Sequence, residues 1–332
     1  MTVPEPAIGE AEAEERLRRN RSDLVAMLAK ADHRFRAGDH RAASAFYKAC
    51  NRLAAQSGGE SDRAEAMSAW LDKRFRDHLL DRLDAGGFDR RSRHPRFQKS
   101  LDIMFGEAAR EPVYEQFPQV PQLYFYPDLP HVEFTDIGGL QWVMALEAQF
   151  PSMRAEALAL LEGKADFRPY VRQTAARPQG DVHGLLENPD WSTLFLWENG
   201  GAVAEHVALC PKIFGAVMEH VPLCHIGPRA PSVMLSLLRA GAKIPPHTGM
   251  INTRFVCHLP LVVPETCGFR VGETRIEWRE GRTIAFDDTV QHEAWNDSAK
   301  DRLVLIFDIW RPELGETEKA QIRALFDAVD SY

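Results

Sequence analysis

The sequence predicts an α+β chain, a helical front followed by antiparallel strands closed into a sandwich or jelly roll. Three observations carry this prediction. From about Glu10 to Leu83 the chain is rich in Ala, Leu, Arg and Glu with few prolines, the texture of consecutive helices. From Ser232 onward, short apolar runs alternate with turn residues at intervals that suit antiparallel pairing. A last amphipathic stretch, about Glu316 to Val329, predicts a helix that covers the sheets. These textures divide the chain into a helical region over 1–85, a connecting segment over 86–123 and a strand-rich domain over 124–332.

Taken in order, "AGDHRAASAFYKACNRLA" (Ala37 to Ala54) sets Ala43, Tyr47 and Cys50 at helical spacing behind Gly38, where a turn between two helices needs a glycine. This hairpin resembles the second half of a tetratricopeptide repeat, in one convincing copy. Stacked repeats need neighbours to bury their faces, so one copy favours a packed hairpin. Between Gly86 and Pro130, "GGFDRRSRHPRFQKS" is basic and turn-prone, and "FPQVPQLYFYPDLP" is rich in proline and aromatics. A helix is expected from Leu140 to about Leu161, kinked or divided at Pro151. Phe167 to Asp190 has little periodicity and reads as loop, leading into a strand in "WSTLFLWENG" (Trp191 to Gly200). Strands are then expected over Ser232–Gly241, Thr253–Val263, Cys267–Trp278 with a hairpin turn at Val271–Thr274, Arg282–Asp288 and Arg302–Trp310.

Composition narrows the function. Of 332 residues, 45% are hydrophobic and 27% charged, which is globular, and a net charge of -8 offers no basic field for nucleic acid. No apolar run is long enough to span a membrane, and the N-terminus lacks the short apolar core of a signal peptide. Cys50, Cys210, Cys224, Cys257 and Cys267 are odd in number and widely spread, so a disulfide framework is not expected and a reducing, cytoplasmic setting fits.

The candidate chemistry sits in the strand region. In Thr253–Leu261, Phe255, Cys257 and Leu259 alternate onto a core face, while Arg254, Val256 and His258 share the other. A polar row inside a sandwich is costly unless it binds something. In Arg302–Trp310, Leu303, Leu305, Phe307 and Ile309 oppose Arg302, Val304, Ile306, Asp308 and Trp310. His247, in "PPHTGM", and His292, in "FDDTVQHEAWND", each stand near a strand mouth, where neighbouring strands could bring both imidazoles to one metal ion. Oxygen-activating metal sites often carry a carboxylate two residues after the first histidine; here that residue is Gly249.

"SLLRAGAKIPPHTGMINTRFVCHLPLVVP", "EGRTIAFDDTVQHEAWNDSAKDRLVLIFDIWRPEL" and the upstream "WSTLFLWENG" resemble the aspartyl/asparaginyl beta-hydroxylase family. The resemblance runs from about Tyr124 to Leu314 and is densest from Ser236 to Pro312. It implies a double-stranded beta-helix of the jelly-roll, cupin-like type, and an iron(II)- and 2-oxoglutarate-dependent dioxygenase that consumes O2. It implies His247 and His292 as the iron ligands. Ser236 and Arg302 would hold the distal carboxylate of 2-oxoglutarate, with His258 and Arg254 as further cosubstrate contacts. It also accounts for Gly249, because these enzymes lack the carboxylate arm of the usual triad. Asp287 or Asp288 could supply a ligand instead, but their place before His292 fits a tight turn.

One position departs from the pattern. Peptide-hydroxylating members carry two arginines in the strand after the first histidine, at the positions of Arg254 and Val256; here the second is valine. The resemblance implies hydroxylation of an unactivated C–H bond, foremost the beta-carbon of an Asp or Asn residue in a peptide or protein. A free amino acid or a lipid acyl chain are alternative substrates. A non-catalytic binding protein, its helical repeat recruiting a protein partner, is the alternative from another class. A zinc hydrolase lacks a third ligand at suitable spacing.

Overall fold

The computed structural model describes residues 2–57, 62–111, 115–163, 165–174, 178 and 184–332. The loop expected over Phe167–Asp190 therefore lies partly outside the described residues. Two compact units are distinguished: residues 1–89 with 172–186 and 328–332, and residues 90–171 with 187–327.

The first unit is helical, with α1 (Glu10–Arg19), α2 (Leu24–Arg36), α3 (His40–Ser57) and α4 (Asp62–Ala85). Asp23 caps α2 by accepting from the Ala26 N–H. The chain reverses between α2 and α3 at Gly38, whose φ of 80° lies in the left-handed region that side chains disfavour. Ala43, Tyr47 and Cys50 are buried there with Met27, Ala31, Phe46 and Leu71, as the hairpin reading requires.

The second unit opens with α5 (Pro95–Met104), a helix inside the segment read as turn-prone connection. Pro95 starts it, and Phe97 and Leu101, one turn apart, are its buried face. Pro151 divides the expected long helix into α6 (Gln141–Ala148) and α7 (Phe150–Glu162), where it occupies the first turn of α7. α8 (Ala204–Val207) and α9 (Pro211–His220) follow, and α10 (Glu316–Asp330) ends the chain.

The larger antiparallel sheet contains β1 (Phe134–Thr135), β10 (Ile284–Phe286), β7 (Arg254–Val262), β12 (Arg302–Trp310), β5 (Val233–Leu238), β3 (Trp191–Glu198) and β2 (Arg168–Pro169) in that spatial order; β4 (Gly201–Ala202) pairs with β3. The smaller sheet runs β6 (Lys243–His247), β11 (His292–Asn296), β8 (Cys267–Val271), β9 (Thr274–Ile276). Helices followed by antiparallel sheets, the mixed α+β arrangement expected from the sequence, are thus what the chain forms.

Alternation in the large sheet sets the site. Leu235, Leu237, Phe255, Cys257, Leu259, Leu303, Leu305 and Phe307 face outward into one apolar core with Val143, Met153, Ile213 and Val217 of the helices. Burying a residue such as Phe307 completely contributes about 1.5–3 kcal/mol. That core fixes the strand register, so the opposite row must face the smaller sheet.

Candidate active site

β6 and β11 pair so that His247 and His292 are direct partners, and their rings lie 4.1 Å apart between centroids. Both rings are oriented by the main chain. His247 Nδ1 lies 2.8 Å from the Pro245 carbonyl and His292 Nδ1 3.0 Å from that of Val290. A carbonyl only accepts, so each Nδ1 carries the hydrogen and each Nε2 keeps its lone pair. Burial lowers the pKa of both, that of His292 to about 3, with neighbouring His247 adding to the effect. Neutral imidazoles with Nε2 available are the form that binds a metal.

At one end of the inner face lies Arg302, 1% exposed. Its Nη2 donates to Ser236 Oγ at 3.3 Å, and its guanidinium lies 4.5 Å from the Trp278 ring centre. Its Nε is buried without a hydrogen-bond partner, and burial pulls its pKa down to about 10. Trp191 Nε1 also donates to Ser236 Oγ at 3.3 Å, leaving the serine O–H free to donate. His258, on the same face, has its pKa pushed well down by burial and then by Arg302, and its Nδ1 lacks a partner.

At the other end, Arg254 donates to Asp308 and, at 3.0 Å, to Asp288. Burial opposes its charge, but the two carboxylates more than offset this and raise its pKa. Asp288 is pushed up to about 7 by its own burial, against the pull of Arg254. Its carboxylate fills the space beside Gly249: a Cβ there would sit 1.9 Å from Asp288 Oδ2. Among the described residues no three His, Cys, Asp or Glu side chains are arranged to share a metal ion, so neither Asp287 nor Asp288 completes a triad. Asp287 is engaged by Arg311 and Gln119.

The fold therefore brings His247, His292, His258, Ser236 and Arg302 onto or against one inner face, with Arg254 tied up at its edge. The sequence reading did not single out Trp191, Trp278 or Tyr170. The Tyr170 ring packs against Trp191, tilted by 32° with centroids 4.3 Å apart, and Trp191 lies 5.8 Å from His247. The signal available was an aromatic beside each end of the serine-arginine pair, but Tyr170 fell in a stretch without periodicity.

The family model described as aspartyl/asparaginyl beta-hydroxylase matches residues 147–312, which include all six of these expected site residues. The chain belongs to that family. The human aspartyl/asparaginyl beta-hydroxylase is 31% identical over 192 residues, 57% of this chain and 24% of that protein. An ornithine lipid ester-linked acyl 2-hydroxylase of Rhizobium tropici is 29% identical over 190 residues, 56% of this chain and 63% of that one. Human aspartate beta-hydroxylase domain-containing protein 2 is 28% identical over 212 residues, 63% and 55% of the two chains. The matched stretch thus spans a quarter to under two thirds of these relatives, among which hydroxylases of this family and an acyl hydroxylase both occur. A prolyl-4-hydroxylase of Pseudomonas putida overlays 52% of this chain and all of that one at a TM-score of 0.30 and 14% identity, too slight a likeness to argue from. No helix among the described residues is long and apolar enough to cross a membrane.

Proposed function

We propose that this chain is an Fe(II)- and 2-oxoglutarate-dependent dioxygenase that hydroxylates an unactivated C–H bond, the beta-carbon of an Asp or Asn residue being the foremost candidate. One observation carries the reading: a fully buried arginine, without a carboxylate partner among the described residues, lies on the same inner face as the histidine pair. An unpaired buried guanidinium is costly unless an anion neutralises it.

The residues present fit the implied groups. His247 and His292 would hold the iron through Nε2. Arg302, with the free O–H of Ser236, would hold the distal carboxylate of 2-oxoglutarate, and the unpartnered Nδ1 of His258 marks a further contact. When bound, iron and cosubstrate supply the oxidising power: O2 is consumed, 2-oxoglutarate leaves as succinate and carbon dioxide, and substrate C–H becomes C–OH. The protein's own part is to orient. The Trp278 ring packs on the Arg302 guanidinium, and Trp191, with Tyr170 packed against it, lies beside His247. Two facing antiparallel sheets support the double-stranded beta-helix reading. The α2–α3 hairpin supports a tetratricopeptide-like site for a protein partner, and five free, buried thiols support a reducing, cytoplasmic compartment.

The test is succinate formation by purified protein given Fe(II), 2-oxoglutarate, ascorbate and candidate substrates. Turnover that disappears in His292→Ala is expected. Absence of turnover above that control, together with no binding of 2-oxoglutarate, would overturn the proposal in favour of a binding protein.

A further inference from the structure

The strand that begins at His292 has an inward residue at its other end too. In β11 His292, Ala294 and Asn296 share the buried face, and Glu293 and Trp295 alternate onto the other. Asn296 is wholly buried and stands four residues, roughly 13 Å along the strand, from His292. Its side chain reaches out of the smaller sheet. Nδ2 donates to the carbonyls of Leu238 and Arg239, both at 3.0 Å, and to that of Lys300 at 2.8 Å. Oδ1 accepts from the Ser298 O–H at 2.6 Å, the Ser298 N–H at 3.2 Å and the Cys267 thiol at 3.2 Å. Carbonyls on one side and donors on the other admit one orientation of the amide.

These partners end the strands that carry the serine–arginine pair. Leu238 lies two residues past Ser236 and pairs with Arg302 across β5 and β12; Lys300 lies two residues before Arg302. The histidine pair belongs to the smaller sheet and the serine–arginine pair to the larger, and no ladder joins the two sheets among the described residues. The Asn296 amide is a direct tie between them. We propose that Asn296 is a positioning residue that sets the span from the histidine pair to Ser236 and Arg302, and with it the length of the 2-oxo diacid held between them. The inference rests on the hydroxylase reading above and adds to it. A ligand gripped at both ends has one fitting length, and misplacing one grip by about 1 Å can cost about 100-fold. The precision has to come from the frame, and a buried amide with every group engaged supplies it.

Calorimetry on protein loaded with Mn(II), without oxygen, compares 2-oxoglutarate with 2-oxoadipate, one methylene longer. The native protein should bind the shorter acid about tenfold more tightly or better. Asn296→Ser, which shortens the tie, and Asn296→Gln, which lengthens it, should each shrink this preference about fivefold or more. Manganese affinity should stay unchanged, because main-chain carbonyls orient both rings. Ser298→Ala, which removes only the hydroxyl on Oδ1, serves if neither variant folds, with a smaller change in the same direction. A merely structural role would weaken both acids together and leave their ratio, and that result overturns the inference. So does a native protein that does not distinguish the two acids, or a variant that loses manganese instead. Native protein that binds neither acid removes the hydroxylase reading and this inference with it. Normal binding of 2-oxoglutarate with an unmoved ratio in the variants removes only this one.

Discussion

Arg302 and Arg254 lie at opposite ends of one inner face, both withdrawn from water, and they differ in company. Arg254 has two carboxylates; Arg302 has a hydroxyl, an indole face and an idle Nε. Six residues of strand separate Arg302 from Asp308, the partner of Arg254, roughly 20 Å at the usual rise. The contrast separates two uses of a buried cation. A paired one is part of the frame, and its charge is satisfied at folding. A solitary one is a standing demand for an anion, which a ligand has to meet. On the proposed reading, the same sheet offers a ligand site at one end and a closed network at the other.

The sharpest way to break the comparison is Arg254→Met. It would strand Asp288 and Asp308 in the interior, and a loss of about 3–5 kcal/mol is expected in denaturant unfolding. A loss below 1 kcal/mol would mean that the network contributes little. Next is pH. The folded pKa of His292 lies below its unfolded value, so the metal-free protein gains stability as pH rises from about 3 through 6.5 and loses it as pH falls. A change on the order of 3 kcal/mol across that window should flatten in His292→Gln, read by melting temperature against pH.

Arg302→Met should behave unlike Arg254→Met. Removing an unpaired charge should leave the ligand-free protein as stable or more so. It should also abolish the stabilisation of about 2.7 kcal/mol that 2-oxoglutarate, at a hundred times its Kd with Mn(II), gives the native protein. A variant that still binds the cosubstrate would remove Arg302 from the proposed role. Smallest is Gly249→Ala. Its Cβ must push the anchored Asp288 carboxylate aside, at about 1–3 kcal/mol, and a crystal structure of the variant should show the contact between Asp288 and Arg254 lengthened.

Local pattern was legible where alternation was strong. Arg302–Trp310 is a strand with the bounds its alternating residues implied, and Leu303, Leu305 and Phe307 share one face as expected, which the structure packs against the helices. The strands that carry the histidines were harder. Lys243–His247 contains Pro245 and Pro246, which cannot donate to a ladder; β6 admits them because it is the edge of its sheet and pairs on one side only. Helix α5 was hidden by the basic residues around Phe97 and Leu101. The company of Arg254 could not be read at all. Asp288 and Asp308 lie 34 and 54 residues away, and only the closure of the sheets brings them to it.

The two histidines have one more property in common. Each hands its Nδ1 hydrogen to the carbonyl two residues before it, so the tautomer and ring direction of both are written into the main chain of the strand ends. No neighbouring side chain has to be kept for the sake of ring orientation. Substitutions around the pocket can then alter what enters it while the pair of rings stays aimed.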